Sequence, residues 1–176
     1  MNDNSKTRDK DVASSATIQH MNVATGLSYD ALVSAFEQEL GHLDPTINKR
    51  LIEQKAAWSE GEETINKIGG KHGLMIIFRA DQGKITSLSG QEKRCSLYLV
   101  GNPVIANKII SIEPGASFYV PFRVALYEAG GPEGAIISYD RPSSFLATFG
   151  RPELVEIGLS LDRKIDGVAA ALRSRS

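Results

Sequence analysis

Residues 117 to 128 alternate. Phe118, Val120, Phe122, Val124 and Leu126 fall on one side of an extended chain, and Tyr119, Pro121, Arg123, Ala125 and Tyr127 on the other. Gly130-Gly131-Pro132 supplies a turn, and Ala135 to Tyr139 returns as a second apolar run, so the segment predicts a β-hairpin. A hairpin with one apolar face needs a covering layer. The C-terminal segment is suited to be one. Pro152 opens a helix in which Leu154, Gly158, Leu161, Ile165, Val168 and Leu172 alternate spacings of four and three, a single seam for a sheet or a partner. Pro121 cannot donate to a ladder, which argues for an edge position or a bulge there.

The remaining pattern fits an α+β fold with a mixed or antiparallel sheet, helices packed on it and a long C-terminal helix. A short strand is expected from Ile18 to Val23. Ser28 reads as the N-cap of a helix carrying Leu32, Val33, Phe36 and Leu40, with Gly41 as its stop. Thr46 starts a second helix with Ile47, Leu51 and Trp58 on one side. Ser59 and Glu62 have capping-box spacing ahead of Ile65 and Ile68, closed by Gly69-Gly70. Leu74 to Phe78 is a continuous apolar run, as in a strand buried on both faces. Lys84 to Leu88 reads as a short exposed strand and Ser96 to Val100 as another. Asn102 suits an N-cap and Pro103 the first position of a helix that ends near Glu113-Pro114. Pro142 and Ser143 open a short helix to Phe149.

Length and charge narrow the classes. A chain of 176 residues fits one domain, here residues 18 to 174 behind a polar tail, residues 1 to 17, expected to be disordered. A net charge of −1 from 20 basic and 21 acidic residues gives no cationic face to recruit nucleic acid or an anionic membrane. The longest apolar run is too short to span a bilayer, and residues 1 to 15 lack the apolar stretch of a secretory signal. The lone Cys95 permits neither an intrachain disulfide nor a thiolate metal cage, in keeping with a soluble protein of the cytoplasm.

Candidate chemistry gathers on the hairpin. With its arms paired about Gly131, Arg123 comes opposite Tyr139 and Tyr127 opposite Ala135, give or take one residue of register. Tyr119, Arg123, Tyr127 and Tyr139 then line one face with Asp140 at its end, a guanidinium among phenols that suits a small carboxylate or phosphate ligand. The structural alternative pairs Arg123 with Glu128 or Asp140. Asn102 at a helix N-terminus is either an anion site or a cap. His20, His42 and His72 show no i, i+4 pair, no nucleophile-elbow pattern surrounds any serine, and neither metal nor cofactor is expected.

These residues resemble a family. Gly101-Asn102-Pro103 before a helix with Ala106, Pro121-Phe122-Arg123-Val124 leading to Tyr127-Glu128, Tyr139-Asp140-Arg141-Pro142-Ser143-Ser144, and Leu161-Asp162 in the last helix are similar to the bacterial family catalogued as domain of unknown function 302. The resemblance implies a compact α+β fold, typically dimeric, whose biochemical activity is not established. Many members carry cysteine where this chain has Phe122, so redox or metal chemistry at that position is not available here. The expected function is a homodimeric small-molecule-binding module with a pocket near the 117–140 hairpin. The alternative is a metal-independent lyase, isomerase or hydrolase that holds an acidic substrate with Arg123 and moves a proton through a Tyr or Asp140.

Overall fold

Alternation in the central strands resolves into an antiparallel ladder with one face buried in the core and the other open. A computed structural model describes residues 15–175. Its strands are β1 (His20–Ala24), β2 (Gly41–His42), β3 (Met75–Asp81), β4 (Cys95–Gly101), β5 (Phe122–Glu128) and β6 (Ala135–Asp140). They form one sheet in the order β1-β6-β5-β4-β3-β2, antiparallel throughout except for the parallel β2–β3 pair. The helices are α1 (Tyr29–Glu39), α2 (Pro45–Glu53), α3 (Trp58–Lys67), α4 (Gly83–Ser87), α5 (Pro103–Ile112), α6 (Pro142–Leu146) and α7 (Pro152–Arg173), with 3-10 turns at Pro114–Tyr119 and Ala147–Phe149.

The core lies between one face of the sheet and the helices. Tyr98, Val100, Val124, Leu126 and Ile137 point into it with no exposure, against Leu32 and Phe36 of α1 and Leu154, Ile165, Val168 and Leu172 of α7. The α7 seam is therefore spent within the chain's own core and is not left for a partner. Ser28 caps α1 as expected, its Oγ accepting from the Ala31 N–H. The other sheet face is open. Leu97, Leu99, Ala125, Tyr127 and Ile136 stay half-buried there, while Phe78 and Arg123 are exposed. No helix among the described residues is long and apolar enough to cross a membrane.

A buried carboxylate ties the end of α1 to the rest of the chain. Glu39, 2% exposed, accepts from Lys71 Nζ at 2.9 Å, faces His72 Nε2 at 3.4 Å and pairs with Arg175. The Lys71 bond, reinforced by Arg175, holds its carboxyl below the usual range against the opposing effect of burial.

Several local expectations give way. The stretch Lys84 to Leu88 is no strand but falls in α4 (Gly83–Ser87) and its C-cap Leu88, because Asp81 Oδ1 accepts the Lys84 N–H and the Thr86, Ser87 and Ser89 hydroxyls return to carbonyls three residues back, satisfying the backbone locally. Ser117 to Tyr119 belongs to a 3-10 turn that starts at Pro114, with Glu113 accepting from the Gly115 N–H, so the strand begins only at Phe122. Pro121 sits outside the ladder, just ahead of the Val100–Phe122 pair, and its missing donor costs an interior strand nothing. β3 is not buried on both faces. Its register shifts between Ile76 and Phe78, leaving Phe78 51% exposed on a sheet covered from one side. Ser59 lies inside α3, whose N-cap is Ala57 with no side-chain bond. The tail expected over residues 1 to 17 falls mostly outside the described residues; residues 15–17 are exposed and carry no regular structure.

Candidate functional site

Glu113 and Pro114 hold the 3-10 turn that carries Tyr119 to its place. There its ring stacks on Phe145 of α6 at 4.9 Å with an interplanar angle of 10° and meets Phe118 and Phe149 edge-on. The rings of Phe118, Tyr119 and Phe145, with Pro121, flank a cavity of about 240 Å³ whose polar wall is Arg123 and Asp140. Three expected residues, Tyr119, Arg123 and Asp140, thus line one space. Arg123 is exposed, and among the described residues its side chain has neither a hydrogen bond nor an ion pair. The structural alternative, with Arg123 neutralised by Glu128 or Asp140, is therefore corrected. Asp140 is engaged elsewhere, and Glu128 lies at the far end of the strand.

The hairpin register separates Tyr139 from this group. Val124 pairs with Tyr139 and Tyr127 with Ile136, one step from the expected pairing. A one-residue step turns a side chain to the opposite face. Tyr139 points into the core at 2% exposure, and its hydroxyl donates to Asp166 Oδ1 at 2.8 Å. Burial and the Asp166 carboxylate both push its phenol pKa up. Arg141 Nη1 reaches the other Asp166 oxygen at 2.9 Å, while Asp162 takes the Ser143 N–H at 3.0 Å and its hydroxyl at 2.6 Å. Tyr139 is part of a lock between β6, α6 and α7. Tyr127 keeps the open face with Arg123 and donates to Asn22 Oδ1 at 3.4 Å.

Asn102 is a cap. Its Oδ1 accepts from the Val104 N–H at 2.8 Å and the Ile105 N–H at 3.4 Å, and its Nδ2 donates to the Gly73 carbonyl at 2.9 Å. Pro103 has no N–H, and the Ala106 N–H donates to the Asn102 carbonyl at 2.8 Å. No donor of that first turn is left for an anion. Asn102 lines a separate cavity of about 200 Å³ with Ile77, Pro121 and Phe122. A wider apolar groove along α2, α3 and α5 exposes Ile52 and Trp58 and offers one charge, Lys55.

Two residues that the sequence did not single out complete the open face. β1 pairs with β6 so that His20 stands opposite Asp140 and Asn22 opposite Ser138. The His20 ring bridges them, with Nδ1 2.7 Å from Asp140 Oδ1 and Nε2 3.1 Å from Ser138 Oγ. Sequence reasoning missed this because the partners lie 118 and 120 residues apart and nothing local announces which strands pair. The one available signal was local: Met21 and Val23 alternate with the polar His20 and Asn22, as in a strand with one buried face. Of the other histidines, His72 faces Glu39 and His42 Nε2 lies 3.3 Å from the Glu37 carbonyl. Among the described residues no group of three or more His, Cys, Asp or Glu is placed to hold a metal.

The model of the family described as domain of unknown function DUF302 matches residues 52–172. A crystal structure of an uncharacterized conserved DUF302 protein from Bacillus stearothermophilus superposes with a TM-score of 0.63 at 12% identity, covering 88% of this chain and 98% of that one. That likeness extends to the fold. Comparison with curated proteins finds no match.

Proposed function

The chain belongs to the DUF302 family, and from that premise we propose that it is a homodimeric binding module of the cytoplasm that takes a small carboxylate or phosphate, preferably one bearing an aromatic ring, into the cavity beside Arg123. The observation that carries this reading is a guanidinium without a protein partner among the described residues, beside a wall of aromatic rings. A planar guanidinium offers two parallel donors to a carboxylate or phosphate, and stacked rings favour an aryl group. Asp140, committed to His20, does not compete for it.

Of the alternative enzyme reading, Tyr139 loses support as a proton carrier, since its hydroxyl lies in the core against Asp166. Asp140 retains support through its contact with His20. For the dimer, the supporting feature is the β3–β4 half of the open face, where Phe78, Leu97 and Leu99 stand apart from the cavity. A monomer in sedimentation at micromolar concentration refutes that part of the reading.

The test of the cavity is a thermal-shift screen against aromatic acids, aliphatic carboxylates and phosphates. A ligand at a hundred times its dissociation constant adds about 2.7 kcal/mol of apparent stability. The expected result is a hit lost in Arg123→Ala. A hit of equal size in that variant places the ligand elsewhere and refutes the assignment.

A further inference from the structure

Ser138, His20 and Asp140 stand in the order hydroxyl, imidazole, carboxylate, and we propose that Ser138 is a nucleophile for small esters or thioesters, with His20 as its base and Asp140 positioning the ring. This deepens the cavity reading by making the bound acid the acyl group of a substrate. It rests on that reading for the class of acid only.

Pairing of β1 with β6 builds the relay. Side chains directly opposite on an antiparallel pair are neighbours, and diagonal ones lie within reach of long or aromatic groups. His20 therefore meets Asp140 across the ladder and Ser138 on the diagonal. The Asp140 carboxylate only accepts, so it draws the ring proton to Nδ1 at 2.7 Å and leaves Nε2 to accept from Ser138 Oγ at 3.1 Å. Such constellations are recognised by geometry and role and occur in different chain orders on unrelated folds. Here the order is His20, Ser138, Asp140.

The surroundings suit attack from the open face. Opposite Ser138 on β5 stands Ala125, flanked on the same face by Arg123 and Tyr127; this small neighbour screens the hydroxyl least, and Ser138 keeps 7% exposure. The Asp140 side of the relay forms a wall of the aromatic cavity, which places Arg123 to hold an acyl group that carries a carboxylate. Asn22, directly opposite Ser138 on β1, turns its oxygen to the Tyr127 hydroxyl. Its amide donors have no partner among the described residues and are the candidate stabilisers of an oxyanion.

Ser138 Oγ bonds to the ester carbonyl carbon as its proton passes to His20 Nε2. The carbon–oxygen bond to the alcohol breaks as His20 returns that proton to the leaving oxygen, giving an acyl-serine and an alcohol. Water then adds to the acyl carbon, yielding its proton to His20. The acid departs as Ser138 Oγ takes that proton back. The sum is ester plus water to acid plus alcohol, with no other reactant.

The test uses the full chain with a fluorophosphonate probe, adducts being mapped by mass spectrometry, and with p-nitrophenyl acetate, followed for a burst. The expected result is one adduct, on Ser138, and about one p-nitrophenolate released per chain in the burst. Both are absent in Ser138→Ala, and labelling slows by at least about 10²-fold in His20→Ala. Asp140→Asn, which keeps the shape of the carboxylate, slows labelling while the urea midpoint stays in place. Asn22→Ala lowers steady-state hydrolysis by about 10²-fold. No adduct, an adduct on another residue, or equal labelling in His20→Ala overturns the proposal and leaves the relay as a strand tie. The cavity reading stands or falls separately. An adduct on Ser138 in a chain that shows no ligand shift removes only the cavity, and a ligand shift without an adduct removes only the nucleophile.

Discussion

Replacing Asn102 with alanine removes two different supports, and a two-step series separates them. The side-chain oxygen caps α5 through the Val104 and Ile105 amides, and the side-chain nitrogen clamps the Gly73 carbonyl in the loop before β3. Loss of a cap costs about 1 kcal/mol. Loss of the clamp costs about 1 kcal/mol more, and somewhat more where the carbonyl then lacks a partner. Asn102→Ala is therefore expected to destabilise the chain by about 2–3 kcal/mol, read as a fall in the urea midpoint of about 1 M. Asn102→Ser keeps an acceptor for the helix amides but has no amide donor for Gly73. It should fall midway, about 1 kcal/mol below the parent, so that the first step measures the clamp and the second the cap. Equilibrium urea unfolding, followed by circular dichroism at pH 7, resolves both steps. A serine variant no more stable than alanine, or an alanine variant within about 0.5 kcal/mol of the parent, refutes the division of labour drawn from these bonds.

Two further outcomes concern stability. Glu39 has a carboxyl pKa lowered by Lys71 and Arg175, so its contribution is complete above the unfolded value and is lost as pH falls through the folded one. The midpoint gap between the parent and Glu39→Gln should be widest at pH 7 and shrink below about pH 4.5, close to the unfolded pKa of a glutamate; a gap that widens in acid contradicts the sign. Gly158→Ala puts a methyl 2.5 Å from Ser143 Cα and 2.9 Å from its N, forcing α6 off α7. Alanine gains about 1 kcal/mol of helix propensity over glycine, yet the clash should dominate and lower Tm by several degrees, and a raised Tm counts against the close approach.

Features written in short range were readable from the chain. Asn102-Pro103 marked the start of α5, the four-and-three spacing of Leu154 to Leu172 marked α7, and the Gly130-Gly131-Pro132 turn marked the hairpin. Segments of about five residues were not. Over so short a stretch alternation and helix period are hard to tell apart, and at Lys84 to Leu88 and Ser117 to Tyr119 side-chain acceptors decided for a helical turn. Of the candidate site, the cavity wall of Tyr119, Arg123 and Asp140 was readable because the hairpin and its neighbouring turn are local. Tyr139 was misplaced by one step of register, which no side chain of the turn specifies. His20 and Ser138 were invisible as a pair, since their meeting depends on which strand closes the sheet.

That closure has a consequence for how the chain is made. Of the six strands described, the earliest, β1, pairs with β6, and the His20–Asp140 contact spans 120 residues. At about 5–20 residues per second, a ribosome takes roughly 6–24 s to cover that distance. During this interval β3 to β5 can already lie side by side, while residues 20–24 wait without a ladder. The relay is thus the latest part of the sheet to exist on a growing polypeptide, and a chain halted before β6 presents His20 with neither of its partners.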